Sequence, residues 1–196
     1  MSSSSSYQSF NRFLKYAKPW KGKILLSSTY SIINKLFDIA PEILIGIAVD
    51  LVVQKNNSII AKMGFESTQS QITVLAIATF LIWAFESLFQ YLYSISWRNL
   101  AQTVEHSIRM DAYTHVQKLD IAWFENKKIG DITSKLNDDV NQLERFLDNG
   151  FNTIIQLIVS SIAIGGVFFY ISPLVASISI LPIPIILIIA FFFQKN

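Results

Sequence analysis

The sequence predicts an all-α membrane protein, and three observations support this fold class. Hydrophobic residues make up 52% of the 196 positions and charged residues only 15%, whereas an average soluble domain is about 25% charged. Several apolar segments reach the roughly 20 residues that a helix needs to cross the hydrocarbon of a bilayer. Between them lies one long polar segment with helical periodicity. We therefore expect an amphipathic helix, four transmembrane helices and a helical hairpin outside the membrane.

The N-terminal region is predicted to hold a disordered tip followed by an amphipathic helix. Residues 1–9 are polar and lack the basic region followed by an apolar region that marks a signal peptide. Residues 10–20 place apolar and basic side chains on separate faces, which is typical of a helix lying on the inner leaflet. A short soluble helix is the alternative. Pro19 would separate this helix from the first span. The apolar face consists of Phe10, Phe13, Leu14 and Ala17. The basic face consists of Arg12, Lys15 and Lys18.

Three predicted spans carry at most one charged residue each. Span two, residues 72–97, contains only Glu86, and spans three and four, residues 150–171 and 173–194, contain none. Pro173 suits the first turn of a helix and disfavours helix at the residue before it, so it marks the fold point between spans three and four. Two crossings are therefore expected after residue 149.

Span one, residues 24–53, is predicted in spite of four charged side chains. Lys35 and Asp38 lie three residues apart on one helical face, where they could form an ion pair. Glu42 and Asp50 are the other two. A paired charge is less costly in lipid, which keeps this segment a candidate for crossing the membrane.

The distribution of basic residues predicts the orientation. Five Lys or Arg precede span one and seven lie between spans two and three, but only two lie between spans one and two. By the positive-inside rule, both termini and residues 98–149 are cytoplasmic. We expect a multi-pass protein of the cell (inner) membrane in contact with membrane lipid. The net charge of +2 gives no indication of nucleic-acid binding.

Residues 98–149 are predicted to form a helical hairpin that continues spans two and three. Apolar residues recur there at spacings of three and four, so two helices with a narrow apolar seam would extend about 30 Å into the cytoplasm. Gly130 could end a short helix in the left-handed conformation, and Asp131 or Thr133 could cap the returning helix. The seam residues are Trp97, Ala101, Val104, Ile108, Ala112, Val116, Leu119, Leu136, Val140, Leu143 and Leu147.

An aromatic pair, Trp123 and Phe124, lies at the predicted tip of the hairpin. Large aromatic side chains far from a core often serve as anchors in the pocket of a partner. The alternative is that both side chains fold back onto the apolar seam and cap it.

The order of residues around this tip resembles the first intracellular loop of ATP-binding cassette (ABC) exporters of the lipid-flippase and multidrug-exporter type. Leu119 is followed by the Trp123-Phe124 pair, then by Gly130-Asp131, and then by ITSKLNDDVNQLERF. Family members also carry an amphipathic elbow helix before span one and often a proline, a glycine and an aspartate late in that span. Pro41, Gly46 and Asp50 stand in those places.

The resemblance implies a coupling helix at the tip, which docks on a nucleotide-binding domain. The chain would be the membrane-spanning part of an exporter, would transmit ATP-driven movement to the substrate path and would pair with a second transmembrane domain. The contact residues implied are Ile121, Ala122, Trp123, Phe124, Glu125, Asn126, Lys127, Lys128, Gly130 and Asp131.

The resemblance also implies that other parts of the transporter supply two further helices and the nucleotide-binding site. The family's transmembrane domain has six helices and four are predicted here, so residues 10–196 are expected to be the N-terminal portion of such a domain. No G-x-x-x-x-G-K-[ST] loop occurs in the sequence. We expect no cofactor in this chain, with ATP and Mg²⁺ bound by the nucleotide-binding partner.

Two polar residues inside span two are candidates for a substrate path. Glu86 and Gln90 lie one turn apart on the same helical face, and an ionisable group in lipid usually faces a cavity or a partner. The alternative is a hydrogen bond between helices. A metal site is not indicated, because His106 and His115 point to opposite sides of a helix. No catalytic triad or dyad is visible in the sequence.

Two other functions compete with an exporter. A membrane-anchored interaction or scaffold protein would use the hairpin as a binding arm. An intramembrane enzyme would have only Glu86 and the charged residues of span one as possible reactive groups.

Overall fold

The computed structural model describes residues 15–54, 58–120, 130 and 134–194. All regular secondary structure in these ranges is helical, which confirms the all-α fold class. The predicted disordered tip, residues 1–9, and the first part of the predicted amphipathic helix, residues 10–14, lie outside the described residues.

The first described helix follows a short turn at the predicted break. Lys18–Trp20 forms a 3₁₀ turn that contains Pro19, and the Trp20 amide donates to the Ala17 carbonyl over 3.0 Å. Helix α1, Lys21–Gln54, then runs for 34 residues with Pro41 inside it. The Lys35 Nζ atom lies 2.6 Å from the Asp38 carboxylate, which confirms the predicted ion pair.

A compact connection joins α1 to the next long helix. Helix α2, Ile59–Lys62, is capped by Ser58, whose hydroxyl accepts from the Ala61 amide. Gly64 has a φ of 100°, the left-handed region that glycine enters without strain. The Asp50 carboxylate accepts from the Ile59 amide over 3.0 Å, so the end of α1 is linked directly to α2.

Helix α3, Thr68–Gln117, is one uninterrupted helix of 50 residues. The Ser67 hydroxyl caps it by accepting from the Ser70 amide. At 1.5 Å per residue the helix is about 75 Å long, more than twice the hydrocarbon thickness of a bilayer. The prediction that span two continues into a long helical extension is therefore confirmed as a matter of secondary structure.

The returning arm is helical from residue 134 to residue 171 and contains two wider π-helical turns. The π-helical turns are Lys135–Asp139 and Phe146–Gly150, and between them lies helix α4, Val140–Arg145. Helix α5, Phe151–Ile171, completes the arm. Each π-helical turn accommodates an additional residue and so rotates the faces of the helix that follows it.

Gly130 differs from its prediction. It is helical and its φ lies outside the left-handed region, so the prediction that it ends a helix in that conformation is wrong. The physical reason is that glycine permits a positive φ but does not impose one.

The last part of the described chain turns at Pro173, as predicted. Ser172 is extended, with φ of −155° and ψ of 97°, and helix α6, Pro173–Ile180, begins immediately after it. Helix α7, Pro182–Gln194, follows a break at Leu181, so the predicted span four consists of two shorter helices. The break is explained by Pro182, which has no amide hydrogen to continue the helical bonding.

Two described helical segments are both long and apolar enough to cross a membrane, namely Thr68–Gln117 and Asn137–Ile171. They contain the predicted spans two and three. Helix α1 has sufficient length but carries the four charged residues noted above, and α6 and α7 are each short.

Helix α1 packs against α3 and α5, and the extension of α3 packs against the returning arm. Their shared apolar centre, here called the hairpin core, includes Leu100, which the predicted seam missed because it lies one position beside it. Large apolar side chains on the outer faces of α3 and α5 are exposed, as in a surface that faces lipid. The hairpin core consists of Trp97, Leu100, Ala101, Val104 and Leu147.

Candidate coupling site and substrate path

The two arms of the hairpin are held together by apolar packing. Leu100 and Ala101 are completely buried, and Val104 and Leu147 are nearly so. Full burial of a leucine or valine side chain contributes about 1.5–3 kcal/mol, so a few such contacts can fix two helices against each other. Trp97, Ala101, Val104 and Leu147 were predicted as seam residues, and their burial confirms that part of the prediction.

A charged contact reinforces the arms further from the predicted spans. The Arg109 guanidinium donates to the Glu105 carboxylate over 2.6 Å on its own helix. It also donates to the Asn141 amide oxygen over 2.9 Å on the returning arm. Because a guanidinium holds a fixed fork of donors, this pair of contacts sets the rotation of one arm relative to the other.

The residues before α1 are fixed to the same extension. The Tyr16 hydroxyl donates to the Asp111 carboxylate over 2.7 Å, and the Tyr16 ring lies 5.7 Å from the Trp20 ring. Partial burial, the hydrogen bond and the negative charge of Asp111 raise the pKa of the Tyr16 phenol to about 12. The phenol therefore stays a protonated donor throughout the physiological range.

The tip of the hairpin begins where α3 ends. The amides of Lys118 and Leu119 donate back to the carbonyls of His115 and Val116, which closes the helix. Asp120 and Ser134, the described residues on either side of the tip, are exposed. Of the predicted contact residues, Gly130 is described and is exposed. Those that lie outside the described residues are Ile121, Ala122, Trp123, Phe124, Glu125, Asn126, Lys127, Lys128 and Asp131.

Within the predicted spans, polar side chains from three helices meet at one point. The indole nitrogen of Trp97 in α3 donates to the Ser31 hydroxyl in α1 over 2.9 Å. The same hydroxyl lies 2.7 Å from the Asn152 amide oxygen in α5. Each helix thus contributes one group to a single cluster.

Further polar contacts lie on both sides of Ser31. The Ser27 and Ser96 hydroxyls are 2.6 Å apart, and Asn34 donates to the main-chain carbonyl of Glu86 over 2.9 Å. Gln156 donates to the Asn34 amide oxygen over 3.5 Å. We call this set the polar network, and it consists of Ser27, Ser31, Asn34, Ser96, Trp97, Asn152 and Gln156.

The polar network was not predicted, although the sequence carries a signal for it. Ser27, Ser31 and Asn34 recur at spacings of four and three within span one, so they share one helical face. All three are buried. A stripe of small polar residues in an apolar helix is typical of a packing face, because polar groups in lipid need partners from neighbouring helices.

The two predicted residues of the substrate path lie one turn apart in α3 and differ in exposure. Glu86 is half-buried and Gln90 is exposed. The alternative role was a hydrogen bond between helices. Such a bond joins α1 to α3 at Glu86, but Asn34 donates it to the main-chain carbonyl of Glu86 and not to its carboxylate. Within the described residues, no side chain bonds the Glu86 carboxylate, so its role in a substrate path stays a prediction.

Two cavities lie along α5. One, of about 390 Å³ between α5 and α6, is lined by Ser160, Ser161 and Ser179 among apolar groups. The other, of about 310 Å³ between α1 and α5, is lined by Glu42 with Gly46 and Phe168. The second cavity therefore combines an acidic group with aromatic and aliphatic walls.

Comparison with known proteins identifies a family and several relatives that are similar to this chain. The family model described as the ABC transporter transmembrane region matches residues 24–196. A putative export ATP-binding/permease protein of Rickettsia felis is 39% identical over 100 residues, which cover 50% of this chain and 17% of that protein.

Two relatives from Bacillus subtilis align over more of the chain. A putative multidrug export ATP-binding/permease protein is 27% identical over 145 residues, covering 73% of this chain and 24% of the relative. A protein named as an ABC transporter ATP-binding protein is 22% identical over 185 residues, covering 94% of this chain and 30% of the relative. The chain thus spans less than a third of the length of these relatives.

Proposed function

The chain belongs to the ABC transporter transmembrane region family, and from this membership we propose that it is the membrane-spanning part of an ATP-driven exporter. Helices α1, α3, α5 and the α6–α7 pair each cross the cell membrane, and both termini are cytoplasmic. A nucleotide-binding domain, with ATP and Mg²⁺, drives the movement, and a second transmembrane domain completes the path.

The single observation that carries this proposal is the length and packing of α3. Its 50 residues extend for about 75 Å, whereas about 30 Å suffices to cross the hydrocarbon. The excess is packed against the returning arm through the hairpin core. A displacement applied at the tip is therefore transmitted along two packed helices rather than absorbed by a flexible loop.

The tip supplies the contact with the nucleotide-binding domain. The described residues on either side of it, Asp120 and Ser134, are exposed, so a partner domain can approach the ends of both arms. Trp123 and Phe124 are the proposed anchors, because buried aromatic side chains dominate the binding energy of many interfaces. The neighbouring residues from 121 to 131 form the surrounding contact.

Inside the membrane, the polar network makes α1 follow the movement of α3 and α5. Ser31 contacts a group from each of the other two helices, so a shift of either helix acts on α1. The substrate path then lies beside this three-helix unit. Its proposed polar positions are Glu86 with Gln90 on one face and Glu42 in the cavity on another.

Replacing the proposed anchor tests the coupling role. In the complete assembly, Trp123→Ala should weaken docking about 30-fold, since an anchor contributes about 2 kcal/mol. The readout is ATP hydrolysis and ATP-driven ethidium uptake, both measured in everted vesicles. We expect transport per ATP to fall sharply. Trp83→Ala, which removes an exposed indole elsewhere on α3, is the matched control.

Full coupling in Trp123→Ala vesicles would contradict the anchor role. It would instead support the alternative in which Trp123 folds back onto the apolar seam. Binding of the hairpin to other proteins with no effect on transport would favour the scaffold function.

The acidic positions of the path are tested separately. Glu86→Gln and Glu42→Gln remove a charge with little change of shape, so the variant at a path residue should change ethidium transport and its pH dependence. Glu66→Gln, in the exposed connection before α3, is the control. Unchanged transport and pH dependence in either variant would remove that residue from the path.

A further inference from the structure

A groove with one charged wall and one apolar wall lies where the chain enters α1. Its volume is about 640 Å³. The charged part comes from lysines at spacings of three, and the apolar part comes from the first turns of α1. The groove is lined by Lys15, Ala17, Lys18, Lys21, Ile24, Leu25 and Ser28.

The charged side chains that line this groove are all basic. The first acidic residue in the sequence is Asp38, so every charged side chain before it is basic. Within the described residues, Lys18 and Lys21 form no ion pair. Asp111 lies beside Lys15 in the neighbouring groove, where it already accepts from Tyr16. Lys18 and Lys21 are therefore the cations available to an anionic ligand.

The apolar wall points to the rest of that ligand. Leu25 lies one turn beyond Lys21 and is 69% exposed, and Leu26 beside it is also exposed. Further along α1, Ile32 and Leu36 are also exposed apolar side chains. A ligand that used both walls would need a negative head group and a hydrocarbon chain a few ångströms away. Free phosphate would leave the apolar wall unused.

We infer that this groove binds an acidic phospholipid, with its phosphate between Lys18 and Lys21 and an acyl chain against Leu25. Basic clusters at the cytoplasmic surface attract anionic lipids. Bound lipid would fix the start of α1, and the Tyr16–Asp111 hydrogen bond would link that anchored point to the hairpin. The inference does not depend on coupling to ATP hydrolysis.

The test compares two lysines at nearly the same membrane depth. Lys21 lines the groove, whereas Lys23 is exposed but lies about 200° further around the helix and does not line it. Binding of dioleoylphosphatidylglycerol to the purified full chain in neutral detergent is measured by native mass spectrometry. Lys21→Gln should weaken binding about fivefold and Lys23→Gln much less, because each lysine near a bound anion contributes on that scale.

Further arms of the same experiment identify the ligand class. Dioleoylphosphatidylcholine should bind many-fold more weakly, and inorganic phosphate at equal concentration should not displace the acidic lipid. Leu25→Ser should also weaken lipid binding, because it removes the contact of the acyl chain. The melting temperature without lipid should be unchanged in Lys21→Gln, since Lys21 is an exposed side chain.

Three results would overturn the inference. Equal losses in Lys21→Gln and Lys23→Gln would show a diffuse surface attraction rather than a site. Equal binding of phosphatidylcholine would show that the charge is not recognised. Displacement by inorganic phosphate would assign the lysines to a free anion.

Discussion

The parts of the helices inside the predicted spans and the parts in the hairpin are organised in opposite ways. At the polar network, hydroxyls, amides and an indole meet between α1, α3 and α5, while apolar side chains cover the outside. In the hairpin, apolar side chains such as Leu100 and Val104 meet between the arms, while charged residues occupy much of the outside. Trp97 lies at the boundary and takes part in both arrangements.

The difference shows how the solvent decides which interaction holds helices together. In water, burying apolar surface stabilises the contact between two helices. In lipid the exterior is as apolar as the interior, so hydrogen bonds and close packing must hold them. The same helix α3 satisfies both conditions along its length, and the change between them occurs within about one turn around Trp97.

The largest effect should come from removing the residue that both arrangements share. Trp97 is 1% exposed, so Trp97→Ala should lower the free energy of unfolding by about 3–5 kcal/mol. It removes the packing of a large ring and the hydrogen bond to Ser31 together. Unfolding of the purified chain by dodecyl sulfate in bicelles is the measurement.

Trp83→Ala is the control for this variant, because that indole is on the same helix but is 58% exposed. Trp83→Ala should lower the free energy of unfolding much less than Trp97→Ala. Equal costs for the two variants would contradict the boundary position of Trp97.

The next largest effect should come from the hairpin core alone. Leu147→Ala should cost about 2–4 kcal/mol, because a buried leucine is replaced and a cavity remains. Leu157 is the same residue type on the same arm but is 64% exposed, so Leu157→Ala should lower the free energy of unfolding far less. The same unfolding measurement applies, and a larger loss in the Leu157 variant would reverse the distinction between the two regions.

A smaller effect is expected in the polar network. Ser31→Ala should cost about 0.5–2 kcal/mol, the range for hydrogen bonds between helices in lipid. Thr29→Ala is the control, since the Thr29 hydroxyl bonds only the Leu25 carbonyl of its own helix among the described residues. If Ser31→Ala were neutral in the unfolding measurement, the network would not stabilise the three-helix contact.

The smallest effect should come from Tyr16→Phe, at about 1 kcal/mol or less. The pKa of the phenol is raised from 10.0 to about 12 in the folded chain, so its hydrogen bond to Asp111 is fully present below pH 10. It is lost as the pH rises through about 12. The difference between wild type and variant should therefore be constant from pH 6 to pH 9, and a difference that declines in that range would contradict this contact.

The sequence alone predicted the helices and much of the hairpin core. Length and charge identified α3 and α5, and Pro173 marked the turn before α6, because these features act locally. The predicted seam did not include Leu100, because a strict spacing of three and four residues selects only one narrow stripe of the helix surface. The π-helical turns change the rotation of the returning arm, and no single residue there signals them.

The polar network was missed for a different reason. Ser31 and Asn34 form a visible stripe in span one, but their partners Asn152 and Gln156 lie more than a hundred positions away. Single serines and asparagines occur in many contexts, so only the packing of α1 on α5 shows which of them meet. The Lys35–Asp38 pair, by contrast, was predictable because both partners lie on one helix.

The proposed function requires α3 to begin outside the cell and to end in the cytoplasm, where it would carry the coupling tip. The chain has no cysteine, so single cysteines can be introduced at its two exposed ends, Gln69→Cys and Gln117→Cys. An impermeant maleimide added to intact cells should label the first position and leave the second unlabelled until the membrane is opened. Labelling of residue 117 in intact cells would place the hairpin on the wrong side and contradict the account.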